Sequence, residues 1–154
     1  MALRKIVKEG DPVLARVCRP VEVFDKKLAA LVEDMKDTLA DANGAGLAAP
    51  QVGIAKRLCI VVDDDDTMMT LINPEIIATK GEQIFTEGCL SVPGIWGKTR
   101  RPAEVTVRAY DEKGKVFTAT RTGITAVCFC HEIDHLNGKL FREQVFEYIK
   151  EEDL

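Results

Sequence analysis

Between residues 25 and 42 apolar side chains return at steps of three and four, at Leu28, Leu31, Val32, Met35 and Leu39, while lysines and acids fill the other face. That is the period of an amphipathic helix, and Asn43-Gly44 is a stop signal for it. Beyond this point the pattern shortens. Apolar or alternating runs at 58–62, 70–72, 83–85, 104–110 and 115–120 predict strands, and Asp111-Glu112-Lys113-Gly114 predicts a hairpin turn between the last two. Asp63-Asp64-Asp65-Asp66 reads as a solvated acidic loop with a small capacity for weak cation binding. A second helix is predicted over 125–137, stopped by Gly138. The stretch leading into it, 124–130, is apolar throughout, which predicts burial. Strands grouped between helices point to an α+β fold rather than to alternating β-α-β units. The expectation is a single domain over 1–154, with antiparallel or mixed strands around a central second helix, plus the N-terminal helix.

The second helix carries the whole histidine supply of the chain in His131-Glu132-Ile133-Asp134-His135. Residues four apart share a helix face, so two imidazoles can grip one metal ion with Glu132 beside them. A buried glutamate next to two histidines is costly without a partner, and a cation supplies one. A catalytic metal site takes three protein ligands and leaves a position for water. With no histidine left, the third ligand is a carboxylate or one of the five cysteines, Cys18, Cys59, Cys89, Cys128 and Cys130. Cys130 points about 100° away from His131 around the helix, and Cys128 lies roughly 10 Å along the axis from His135. Cys128 is better suited to lining a pocket. Cys59 sits in an apolar strand run and Cys18 has little polar company, so both read as structural. Among the cysteines this leaves Cys89, in Glu87-Gly88-Cys89-Leu90-Ser91, where Gly88 lets the backbone approach a ligand.

Three separated segments, Gly44-Ala45-Gly46-Leu47-Ala48-Ala49-Pro50-Gln51, Glu87-Gly88-Cys89-Leu90-Ser91 and His131-Glu132-Ile133-Asp134-His135, resemble the three signature motifs of the bacterial-type peptide deformylases, in the family's order. The resemblance implies hydrolysis of the N-formyl group from the initiator methionine of new chains, with release of formate. It implies that Cys89, His131 and His135 hold one divalent metal ion, with Fe2+ favoured over Zn2+, Ni2+ or Co2+. Glu132 would be the base, and the Gln51 side-chain amide and the Leu90 backbone N–H would face the oxyanion. Ala45 and Gly46 would pair with the substrate backbone as if adding a strand, and Gly88 would also bind substrate. Ala45, Ile124, Val127 and Cys128 would form the pocket for the methionine side chain. The implied partners are N-formyl-methionyl peptides, with transient contact with the ribosome that makes them. An amidase or peptidase with another acyl preference, and a non-catalytic metal- or peptide-binding module, are the alternatives. The second is disfavoured because a structural zinc site is normally closed by four protein ligands.

Composition narrows the picture a little further. A formal charge of −4 leaves no basic footprint for nucleic acid, and no apolar run approaches membrane-spanning length. The first eight residues lack the apolar core of a secretory signal. An odd cysteine count is a poor disulfide framework, and a reducing cytoplasm would keep Cys89 free for metal. Cys130 stands where the family usually carries glutamine, which bears on the hydrogen bonding around His131. Trp96, the only tryptophan, is expected either to stack on substrate or to pack its own loop. Glu87 is expected to pair with Arg100 or Arg101, orienting Cys89 or making only a surface contact.

Overall fold

The computed structural model describes residues 2–154. Helix α1 (Lys26–Ala42) begins where Asp25 accepts the Leu28 N–H at 3.0 Å and ends at Asn43, which takes the left-handed conformation. A cap of this kind contributes about 1 kcal/mol. Strands β1 (Gly46–Ala48), β2 (Leu58–Val62), β3 (Met68–Lys80), β6 (Glu104–Tyr110) and β7 (Val116–Thr122) form one sheet in the order β1-β2-β3-β6-β7. Strands β4 (Gln83–Cys89), β5 (Val92–Arg101) and β8 (Val145–Ile149) form a second, in the order β4-β5-β8. Among the described residues every named strand pair is antiparallel, and the one parallel contact is an isolated bridge between Arg19 and Lys56. Helix α2 (Gly123–Leu136) packs against strands of both sheets.

The α+β expectation holds, with longer strands than the apolar pattern predicts. Strand β3 runs thirteen residues rather than three, because its second half, Glu75 to Lys80, is an exposed ladder against β6 that hydrogen bonding, not burial, sustains. Strands β1, β5 and β8 were not predicted. Of these, β1 and β5 contain glycine, β8 is a short edge strand with exposed residues, and the register of all three comes from partners elsewhere in the chain.

Strand β2 shows how the central layer is built. Leu58 and Ile60 face Leu28, Val32, Met35 and Leu39 of α1, while Cys59 and Val61 face Ala126, Phe129, Ile133 and Leu136 of α2. Both faces are covered, so the strand reads as an unbroken apolar run. Helix α2 is buried from Thr125 to Leu136 except at Asp134. Its second half must therefore find polar partners inside the protein or hold a cation.

The acidic run 63–66 is only partly solvated. Asp63 takes two hydrogen bonds from Arg121 at 2.8 and 2.9 Å, and Asp64 accepts from the Thr125 hydroxyl at 2.6 Å. The loop is thus tied to the first turn of α2.

Candidate metal centre and active site

Helix α2 places His131 and His135 on one face, with ring centroids 5.0 Å apart. The end of β4 brings Cys89 to meet them. The ligand atoms of Cys89, His131 and His135 lie within 4.8 Å of one another, with Cys89 Sγ 3.4 Å from His135 Nε2. Tetrahedral bonds of ordinary length to a thiolate and an imidazole put their donor atoms about 3.5 Å apart, so the Cys89–His135 spacing is that of two ligands on one ion. Burial, then repulsion from His131, lowers His135 to about 3, which keeps its ring in the neutral form a metal requires. Burial also acts to lower His131 but is outweighed by Glu132, Cys89 and Glu87, which raise it. A proton and a cation therefore compete for that ring.

The His131 ring is set by a network on its far side. Glu87 Oε1 lies 2.8 Å from His131 Nδ1, and Arg101 clasps Glu87 with two hydrogen bonds, at 2.8 and 3.1 Å. The Thr99 hydroxyl donates to Glu87, and Arg101 also binds Asp134 at 2.8 Å. Glu87 and Arg101 are 3% and 4% exposed, so this is a buried network and not a surface contact. Arg100 points the other way, over the Phe146 ring at 4.0 Å. Residue 130 does not orient His131; the Cys130 side chain belongs to the apolar core, where burial pushes its thiol up to about 11.

Burial alone would raise the Glu87 carboxyl, but hydrogen bonds and charge from His131 and Arg101 more than offset it and hold the group at about 2. A carboxyl depressed in the folded state contributes stability that is complete above its ordinary value and disappears as pH falls toward the folded value. The urea midpoint should therefore drop steeply between about pH 4.5 and pH 2, and Glu87→Gln should flatten that part of the curve. A Glu87→Gln profile parallel to wild type would show that other groups drive acid unfolding.

Glu132 sits against the opposite wall. A β-carbon added at Gly46 would collide with its Oε2, so the first motif needs glycine at this position to let the carboxylate in. Glu132 is 3% exposed, and its Oε1 has no hydrogen-bond partner among the described residues. Burial first, with Glu87 and Asp134 adding to it against His131 and Arg101, pushes the carboxyl up to about 7.

The first motif supplies two further features. Gln51 is wholly buried, and its Oε1 accepts the Ala48 N–H at 2.9 Å. That bond fixes the amide so that Nε2 turns toward Cys89 Sγ at 3.6 Å and Ser91 Oγ at 3.1 Å. Just before β1 the Ala45 carbonyl accepts from the Val62 N–H, and within it Gly46 stands opposite Val61. Alternation in an antiparallel ladder then directs the N–H and C=O of Gly46 away from β2, to the open edge. This edge borders a cavity of about 410 Å³.

Every residue of the three motifs expected at the site reaches this place. Gln51, Cys89, Leu90, His131 and Glu132 line the cavity, with His135 behind them. Ala45, Gly46, Gly88, Ile124, Val127 and Cys128 line it as well. Phe85 and Ile95 also border it and were not anticipated; the strand predicted over 83–85 stops short of Cys89 and β5 was not predicted, so the alternation that turns both residues to the cavity was hidden. Trp96 does two jobs, lining the cavity while its six-membered ring covers the Gly88 α-carbon.

A two-histidine, one-cysteine cluster with an adjoining buried carboxylate is the donor set of a metal-dependent hydrolase, and an open strand edge lies beside it. The chain belongs to the polypeptide deformylase family, whose model matches residues 3–150. It is 50% identical to peptide deformylase 2 of Clostridium acetobutylicum over 97% of this chain and 100% of the relative. It is 47% identical to the peptide deformylase of Acetivibrio thermocellus over 100% and 90%. Its fold superposes on the peptide deformylase structure from Legionella pneumophila with a TM-score of 0.89 and 47% identity, covering 94% and 86% of the two chains. The structure from Thermotoga maritima gives 0.91 at 36%, covering 94% and 99%. It is accordingly a metalloenzyme that removes the N-formyl group from the N-terminal formyl-methionine of newly made proteins.

Proposed function

We propose that the 154 residues act as one catalytic domain in which Cys89, His131 and His135 hold the metal and Glu132 moves the proton. The observation that carries this reading is the meeting, beside one cavity, of three metal donors, a buried carboxylate whose Oε1 has no hydrogen-bond partner among the described residues, and a strand edge unpaired among them. When bound there, the ion, with Fe2+ as the working form and Zn2+, Ni2+ and Co2+ as other occupants, would supply an acidified water and would polarise the formyl oxygen. The edge of Gly46 pairs with the peptide backbone, assisted by Ala45 and Gly88, while Ile124, Val127 and Cys128 enclose the methionine side chain. This fixes the formyl carbon beside Glu132. Burial pushes the Glu132 carboxyl up to about 7 in the metal-free site and a neighbouring cation would lower it from there, so near neutral pH it takes a proton from water and returns one to the leaving amine. The Gln51 Nε2 and the Leu90 N–H donate to the oxygen on which negative charge develops. Because Ala48 holds the Gln51 amide in advance, that donor needs no reorganisation during the reaction.

The five cysteines are free thiols, and a thiolate ligand persists only where disulfides do not form. Among the described residues no helix is long and apolar enough to cross a membrane. These features support action in the cytoplasm on formylated nascent peptides.

The test is formate release from a formyl-Met-Ala peptide by protein purified without oxygen and assayed for metal, beside an acetyl-Met-Ala control. Formate without acetate is expected; cleavage of the acetyl peptide would transfer the assignment to a different amidase. Gln51→Ala should lower kcat about 100- to 1000-fold with little change in KM, the usual cost of one oxyanion donor. Unchanged kcat would exclude Gln51 from that role.

A further inference from the structure

Helix α2 begins without a cap of its own. Thr122, at the N-cap position, makes no side-chain hydrogen bond to the first turn among the described residues, and no acidic residue lies in that turn. The positive end of the helix dipole is met instead by the acidic loop between β2 and β3. Asp63 grips Arg121, just before the helix, through a fork of two hydrogen bonds at 2.8 and 2.9 Å, and Asp64 accepts the Thr125 hydroxyl at 2.6 Å, across 58 and 61 residues of chain. A bidentate pair of this kind is directional as well as strong. Asp63 and Arg121 are 12% and 30% exposed, so their pair is more than a solvated surface contact. Hydrogen bonding from Arg121 outweighs burial and holds the Asp63 carboxyl below its ordinary value, so both partners stay charged at neutral pH.

The same stretch of chain reaches two sides of the active-site cavity. Val61 stands opposite Gly46 and the Val62 N–H donates to the Ala45 carbonyl, so the end of β2 carries the β1 edge. The next two residues, Asp63 and Asp64, hold Arg121 and Thr125, which flank Ile124. Ile124 and Val127 line the cavity from α2 as Ala45 and Gly46 line it from β1. Ile124 is 52% exposed, so packing around its own side chain does little to fix it, and its position follows that of the helix start. We propose that the Asp63–Arg121 and Asp64–Thr125 contacts form a bracket that sets the spacing between the β1 edge and Ile124, and with it the selectivity for the first side chain of the formyl-peptide. All four are positioning residues, since none of them lines the cavity. Without the bracket the first turn of α2 and Ile124 draw away from β1 and the grip on the methionine side chain weakens. The metal donors on α2 lie about two turns further along, where Glu87 and the core hold them independently, so the chemistry is spared.

The inference rests on the deformylase reading, and the experiment separates the two. Formate release from formyl-Met-Ala and from formyl-Ala-Ala is measured in the wild type, Asp63→Asn, Arg121→Met, Thr125→Val and Thr125→Ser. The first three variants should raise KM for formyl-Met-Ala about three- to thirtyfold, part of what the contacts of a hydrophobic pocket contribute, with kcat within about twofold of wild type. Their kcat/KM for formyl-Ala-Ala, whose methyl group leaves the pocket unfilled, should not change. Thr125→Ser keeps the hydroxyl and should keep the wild-type preference for methionine. A purely structural role would weaken turnover of both peptides in parallel, and that result would overturn the bracket. An unchanged KM for formyl-Met-Ala in the first three variants, or a wild type that turns over both peptides equally, would overturn it too. Failure of the wild type to release formate from formyl-Met-Ala would instead bring down the underlying reading, and the bracket with it.

Discussion

Glu132→Ala is expected to lower kcat about 100- to 10,000-fold while leaving the metal content of the protein unchanged. The three donors of the cluster do not include this carboxylate, so its removal leaves them in place. The loss falls on proton transfer, and KM should change little. A second consequence runs in the opposite direction. Glu132 is buried with one oxygen lacking a hydrogen-bond partner among the described residues, an arrangement that costs stability in the metal-free protein. The metal-free Glu132→Ala variant should therefore unfold at the same temperature as wild type or higher. The pH profile carries the same signature. Burial holds the carboxyl at about 7 in the metal-free site, and a nearby cation favours its ionised form. Activity should therefore rise with pH through an acid limb lying below about 7. Retention of more than a tenth of the wild-type kcat by Glu132→Ala would remove Glu132 from the proton-transfer role.

Arg101→Met should cost about 3–5 kcal/mol in unfolding free energy, the penalty for leaving buried charge without its partner. Among the described residues Arg101 is the sole cation on Glu87 apart from the His131 ring, and it also holds Asp134. Without it Glu87 no longer has a fixed position from which to orient His131, and metal affinity should fall about 10- to 100-fold. The adjacent Arg100→Met is the control. Arg100 is exposed and reaches Glu82 only at 3.9 Å, so a loss of about 1 kcal/mol or less is expected, with no change in metal affinity. Equal losses from the two variants, read by urea unfolding and chelator competition, would refute the division of labour between them.

That pair of arginines marks where reading from sequence stops. Glu87 was expected to meet Arg100 or Arg101, and the choice depends on which face of β5 each residue occupies. Strand β5 is anchored at Gln83–Arg101 and Ile84–Arg100 by its partner β4, and nothing in its own sequence alternates cleanly enough to reveal that register. Trp96 was ambiguous for the same reason: contact with Gly88 and with the cavity is decided by β4 and β5 together. The acidic run 63–66 looked like a free loop because Arg121 and Thr125, which hold it, lie some sixty residues away.

What the sequence determined by itself is the chemistry and the regular elements that obey a short period. His131 and His135 share a face because helical geometry requires it, α1 follows from its apolar stripe, and the three motifs carry the donor types that a metallohydrolase uses. Tertiary structure decided what depends on contact between distant segments. It brought Cys89 across from β4, turned the Gln51 amide with Ala48, opened the edge of β1 at Gly46, and placed Arg101 under Glu87. These follow from strand register and buried hydrogen bonding, whose energies are set by partners many residues apart and leave little trace in the local order of side chains.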